Sequence, residues 1–151
     1  MGFDADVDGD LGPLDEYALD EIRTVFTTQE PLVGDAGFPD LIDPRELTVS
    51  LDDGIGDAIE ARFDVRWYRR GYYAFHHTDT AGHDFRWDYH PKEGVANKHF
   101  HPPPNPHRAD PVPSCITVEE PALVARAVHK LWRRAFDTGS LAALNIASNP
   151  P

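Results

Sequence analysis

Residues 59 to 67 read Ile59-Glu60-Ala61-Arg62-Phe63-Asp64-Val65-Arg66-Trp67, an unbroken alternation of apolar and charged side chains. In an extended chain successive side chains point to opposite faces. Ile59, Ala61, Phe63, Val65 and Trp67 therefore mark a covered face, and Glu60, Arg62, Asp64 and Arg66 an open one. A strand of this kind belongs to an antiparallel sheet with one side packed.

The same period extends outward from this strand. Upstream, Leu47, Val49 and Leu51 alternate with Thr48 and Ser50, which predicts a strand over 47–51. Downstream, a turn at Arg69-Arg70-Gly71 returns the chain through Tyr72 to Thr78. A second turn at Asp79-Thr80-Ala81-Gly82 returns it through Asp84 to His90. Two helical segments flank these strands. Leu14, Tyr17, Ala18, Ile22, Val25 and Phe26 recur at helical spacing, with Pro13 at the first position. Val124, Ala127, Val128, Leu131 and Ala135 form a second stripe, with Thr117 and Glu120 at capping-box spacing before it and Gly139 beyond its end. Residues 29–46, rich in Pro and Gly, read as an ordered loop. The expected fold is α+β and two-layered, with about four antiparallel strands and both helices on one face. The folded unit is expected over 13–139, between a disordered acidic tail (1–12) and a flexible C-terminal tail (140–151).

Composition narrows the function classes. With 151 residues, 40% of them hydrophobic, the chain supports one core. It has no apolar run near the roughly 20 residues needed to span a bilayer, and its acidic beginning is unlike a secretory leader. The expectation is a cytoplasmic protein without a membrane partner. A single cysteine, Cys115, forms no internal disulfide and reads as a small apolar residue beside Ile116. The formal charge of −12 is unevenly placed: residues 1–60 hold 17 Asp and Glu against Arg23 and Arg45, whereas residues 61–151 hold 9 acids against 12 Lys and Arg. The second half can therefore meet a polyanion. Abundant Asp and only three lysines have the look of a salt-adapted, halophilic surface.

Seven of the eight histidines lie between His76 and His107. In the strand ending at His90, Phe85, Trp87 and Tyr89 point one way, so Asp84, Arg86, Asp88 and His90 share the other face. Lys98-His99-Phe100-His101 adds imidazoles at two-residue spacing. A cation, a carboxylate and imidazoles meet the needs of phosphodiester cleavage: base, acid and a charge for the transition state. On that reading Arg86, Asp88, His90, Lys98, His99 and His101 are the candidate catalytic residues. Arg62, Arg66, Tyr73, His76 and Arg108 are the candidate RNA contacts. An alternative is zinc held by His90, His99, His101 and His107. A third is an ordinary solvated face of cross-strand partners. The aromatics Trp67, Tyr72, Tyr73, Phe75, Trp87 and Tyr89 are core residues first and base-stacking platforms second. Arg126, Lys130, Arg133 and Arg134 form a basic stripe that reads first as a solvated helix face.

Three segments in order, Tyr73 to His77 (Tyr-Ala-Phe-His-His), Phe85-Arg86-Trp87-Asp88 with His90-Pro91, and Lys98-His99-Phe100-His101 before a closing helix, resemble the TumE-type toxins of bacterial and archaeal toxin–antitoxin pairs. That family shows a Tyr-x-Tyr-His strand, an Arg-Tyr-Asp-Asn-Ala-Pro-His-His segment and a Pro-His-His-Lys-His segment. Arg86, Asp88, His99 and His101 carry over, and His90 approximately. Tyr89-His90-Pro91-Lys92 stands where the family has Asn-Ala-Pro-His-His, and Asn97 to His101 where it has Pro-His-His-Lys-His. The resemblance spans Ile59 to Phe136, with nothing from the first 58 residues. It implies a growth-inhibiting toxin with a cognate antitoxin and RNA as partners, a homodimer being a further option. No cofactor is expected, zinc being the alternative. The competing class is a non-enzymatic binding module whose histidines hold a metal ion or a partner protein.

Overall fold

The computed structural model describes residues 11–40, 42, 45–90, 98–104 and 110–146. Most of the expected N-terminal tail (1–10), the last residues (147–151), His107 and Arg108 lie outside the described residues. The sheet is a meander of β1 (Val33–Gly37), β2 (Leu47–Leu51), β3 (Ala61–Trp67), β4 (Tyr73–Asp79), β5 (Phe85–Tyr89), β6 (Lys98–His101) and β7 (Val112–Pro113). All neighbours are antiparallel, and spatial order follows chain order. Two α-helices, α1 (Glu16–Gln29) and α2 (Pro121–Thr138), flank the sheet in sequence.

The α+β class and antiparallel sheet are as expected, but among the described residues there are seven strands rather than about four. The three additional strands carry weak signals for physical reasons. β1 has two glycines in five residues and a register irregularity between Val33 and Asp35, so it shows no alternation. β7 is two residues long and includes Pro113, which a sheet edge tolerates because no outer partner needs its N–H. β6 is four residues long, too short for a period of two to stand out.

Element ends also shift. β3 starts at Ala61, and Ile59 is 70% exposed, because its N–H bonds the Thr80 hydroxyl at 2.8 Å. Helix α1 starts after Asp15, whose side chain accepts the Ala18 N–H at 3.0 Å, rather than at Pro13. The Pro13 carbonyl instead accepts the Arg69 N–H, and Leu14 bridges Tyr68. Tyr17 is 87% exposed and leaves the apolar stripe to Ala18, Leu19, Ile22 and Phe26. The Thr117–Glu120 capping box does not form: Glu120 is the N-cap, has no side-chain bond, and is held extended by Pro121. Gly139, at φ 68, closes α2 in the left-handed conformation. Leu11 is 1% exposed, so the folded body begins before residue 13. Within the expected C-terminal tail, the Asn145 side chain accepts the Cys115 N–H and donates to the Pro113 carbonyl, beside a buried Leu144.

The core joins both helices to the alternating residues of the sheet. Phe63, Phe75, Phe85 and Trp87 are fully buried, and burial of each large side chain contributes roughly 1.5–3 kcal/mol. Phe26 of α1 meets Phe63 at 5.4 Å and His129 of α2 at 6.1 Å. The helices are tied by buried Glu30, which follows α1. Its Oε1 accepts from His129 and Arg133 of α2, and its Oε2 accepts from the Leu32 N–H and again from Arg133. Arg133, expected on a solvated face, is thus part of the helix–helix contact.

His77 lies on the covered face, stacked on Phe85 at 4.2 Å and edge-on to Phe63 at 5.2 Å. Burial lowers its pKa to about 4 against an ordinary value of 6.5. Between these values the unfolded chain binds the proton and the folded chain does not, so folding stability is complete above pH 6.5 and falls as pH drops toward 4. Urea unfolding from pH 7 to pH 4 should show a loss of about 3 kcal/mol from this group. His77→Phe should flatten that part of the profile; an unchanged slope would assign it elsewhere.

Candidate functional site on the polar sheet face

The face away from the helices carries the even-numbered residues of β2 to β5 and the odd-numbered residues of β6, because pairing keeps partners on one side. One row crosses five strands: Thr48, Asp64, His76, Arg86 and His101 are successive register partners. The next row toward β6 contains Ala74, Asp88 and His99.

The Asp88 carboxylate is the focus of this face and is 0% exposed. Its Oδ2 accepts from Arg86 Nε at 2.9 Å and from His101 Nε2 at 2.9 Å. His90 Nε2 lies 3.6 Å from the same oxygen, and His99 Nδ1 lies 3.4 Å from Oδ1. Burial alone would push the carboxyl upward, but the imidazoles of His101, His90 and His99 gathered around it hold it well below the usual carboxylate range. The folded environment thus favours the ionised form of Asp88. An ionised carboxylate only accepts, so the His101 Nε2 that faces it is the donor. The Arg86 Nη2 to His101 Nε2 distance of 3.4 Å is then a close approach of two donors sharing one acceptor. Arg86, His90 and His101 keep 11–15% of their side chains exposed, so a ligand at the face can touch them.

On the other side of Arg86, His76 Nε2 sits 2.6 Å from Asp84 Oδ1, with both side chains about one-third exposed. In the register Arg86 thus stands between two histidines, each held by its own carboxylate. Sequence periodicity alone places His76 and Arg86 on separate strands, and their direct opposition depends on the register of the Asp79–Gly82 turn.

The structure brings Arg86, Asp88, His90, His99 and His101 together, as the two-residue spacing predicts. It separates Lys98 from them. Lys98 is one residue out of phase with His99 and His101, so it emerges on the helix side, where it donates to the Thr117 carbonyl at 2.9 Å and lies over the Tyr89 ring. Tyr73 is also withdrawn from the polar face: it is 2% exposed and stacked on Trp67, with burial raising its hydroxyl pKa. Arg62 and Arg66 lie on the polar face beyond His76, paired with Asp64 at 3.1 Å and Glu46 at 3.4 Å.

Removing the charge at Asp88 strands Arg86 and His101 in a largely buried setting. Asp88→Asn should lose about 3 kcal/mol of stability by urea unfolding at neutral pH. Asp84→Asn, at a partly exposed pair, should lose less than about 1 kcal/mol. Equal losses in the two variants would contradict the buried network.

No helix among the described residues is long and apolar enough to cross a membrane. No curated protein and no solved structure matches this chain. The family model described as Toxin TumE matches residues 22–136, about three quarters of the chain, and begins well before Ile59, within helix α1. The match takes in the whole row from Thr48 to His101, and the chain belongs to the TumE toxin family.

Proposed function

We propose that this toxin cleaves RNA at the polar sheet face, with His76 and His101 exchanging protons on either side of Arg86. What supports this reading most is the row His76, Arg86, His101: neighbouring strands lie about 4.8 Å apart, so two histidines flank one arginine in register, within reach of a single phosphate. One imidazole takes the proton of the ribose 2′-hydroxyl as its oxygen attacks phosphorus. The other gives a proton to the departing 5′-oxygen, and Arg86 holds the charge that accumulates on the phosphoryl oxygens. The products are a 2′,3′-cyclic phosphate and a 5′-hydroxyl. Asp84 and Asp88 orient the two rings, and Asp88 also holds Arg86.

Arg62 and Arg66 continue the cationic face along β3 and would contact flanking phosphates. Family membership supports an antitoxin partner, and masking of this face would neutralise the activity.

The test is incubation of the full chain with total cellular RNA at low and high salt, with product ends identified. Cleavage leaving cyclic phosphate is expected, reduced at least about 100-fold in His101→Ala, His76→Ala and Arg86→Ala. Asp84→Asn should slow cleavage with little change in stability. RNA left intact under every condition, or cleavage unaffected by His101→Ala, would remove the nuclease reading and favour a non-enzymatic toxin that acts by binding.

A further inference from the structure

Asp88 holds Arg86 and His101 with one oxygen alone. Its Oδ2 takes both donors, while Oδ1 is buried and has no hydrogen-bond partner. Facing Oδ1 is His99, a side chain 4% exposed, with Nδ1 at 3.4 Å and neither ring nitrogen hydrogen-bonded. A buried polar atom left unmet costs about 1–3 kcal/mol, and three such atoms in one spot require a physical reason. His90 stands beside them, its ring 5.7 Å from that of His99. One donor atom each from Asp88, His90 and His99 lies within 4.8 Å of the others.

We propose that Asp88, His90 and His99 bind a single zinc ion. Donors around a tetrahedral zinc with bonds of about 2.0–2.2 Å stand roughly 3.5 Å apart, so modest side-chain rotation would close this group. The sheet brings the three together. Asp88 and His99 are register partners on β5 and β6, and His90 lies two residues beyond Asp88. Two imidazole nitrogens and one carboxylate oxygen suit zinc rather than magnesium or calcium, which take oxygen ligands. Arg86 and His101 fix the second carboxylate oxygen and so aim Oδ1 at the ion, the usual task of groups behind the ligands. His101 is thereby outside the ligand set, unlike in the sequence-based quartet of histidines. Three protein ligands leave a fourth position for water.

Zinc binding shares Asp88 with the RNA reading but needs neither His76 nor a substrate, so the two can be tested separately. The full chain, stripped by chelator dialysis, is titrated with zinc alone and with cobalt(II) alone. One equivalent of zinc should bind and raise the melting temperature, and cobalt should give visible bands of four-coordination. His90→Asn and His99→Asn should each weaken zinc more than about 100-fold, beyond the 10–100-fold typical of groups behind the ligands. His76→Gln should bind as the unaltered chain does. If His99→Asn does not fold, His90→Asn, at a partly exposed position, carries the comparison. No binding at micromolar free zinc, or equal binding by both ligand variants, overturns the site and makes His99 and Asp88 a plain ion pair. A chain that binds zinc but leaves RNA intact keeps this inference and loses the other; a metal-free chain that cleaves RNA and takes up no zinc does the reverse.

Discussion

Taking a carboxylate such as Asp88 wholly out of water carries a penalty of several kcal/mol, and the surrounding strands are arranged to offset it. Arg86 reaches it from two residues earlier on β5, and His101 and His99 reach it across the β5–β6 pairing. A one-residue slip of β6 would turn Phe100 onto the polar face and send both imidazoles into the aromatic core. The same slip would bring Lys98, now bonded to the Thr117 carbonyl ahead of α2, to the wrong side. The charge at Asp88 and the apolar payload of Trp87 and Phe100 thus demand the same register. That agreement lets a four-residue strand hold its place.

Glu30 is the instructive comparison. It is also buried, and it also meets a histidine and an arginine, here from α2. Both of its oxygens are engaged, one by His129 and Arg133, the other by Leu32 and Arg133. Its bonding capacity is spent on joining two helices. Asp88 differs in keeping one oxygen and a neighbouring imidazole unmatched. Unmatched buried groups weaken a fold, and they occur at Asp88 and not at Glu30.

The clearest parts of the fold in the sequence were those where the period of two ran five residues or more with one face apolar. β2 is read to the residue, and β3, β4 and β5 to within two at their ends. The polar face of Arg86, Asp88 and His90 follows from the same alternation. Lys98 shows where composition misleads: a cation next to two candidate histidines is attractive chemically, but parity puts it on the opposite face. Tyr73 fails in the same way, being odd-numbered on a strand whose even-numbered residues face away from the helices. The opposition of His76 to Arg86 was out of reach because it depends on turn geometry. Glu30 was hidden for a different reason, since its partners His129 and Arg133 lie about a hundred residues away and only tertiary packing brings them together.

The meander also converts a charge imbalance along the chain into one across the molecule. Because spatial order follows sequence order, β1 and β2 form one end of the sheet, and α1 packs against β1, β2 and β3. Helix α1, β1 and β2 belong to the half with 17 acids, whereas the row members His76, Arg86 and His101 lie in the half with net positive charge. At low salt, with a screening length near 10 Å, a polyanion approaching the acidic end is repelled and the β4–β6 end is favoured. At molar salt the screening length shrinks to about 3 Å, and this steering vanishes. Recognition then rests on groups in direct contact, for which the partly exposed guanidinium of Arg86 is already placed. A strongly acidic chain therefore does not by itself bar an anionic ligand from this face, provided the contact groups are held in position by buried partners, as Arg86 is by Asp88.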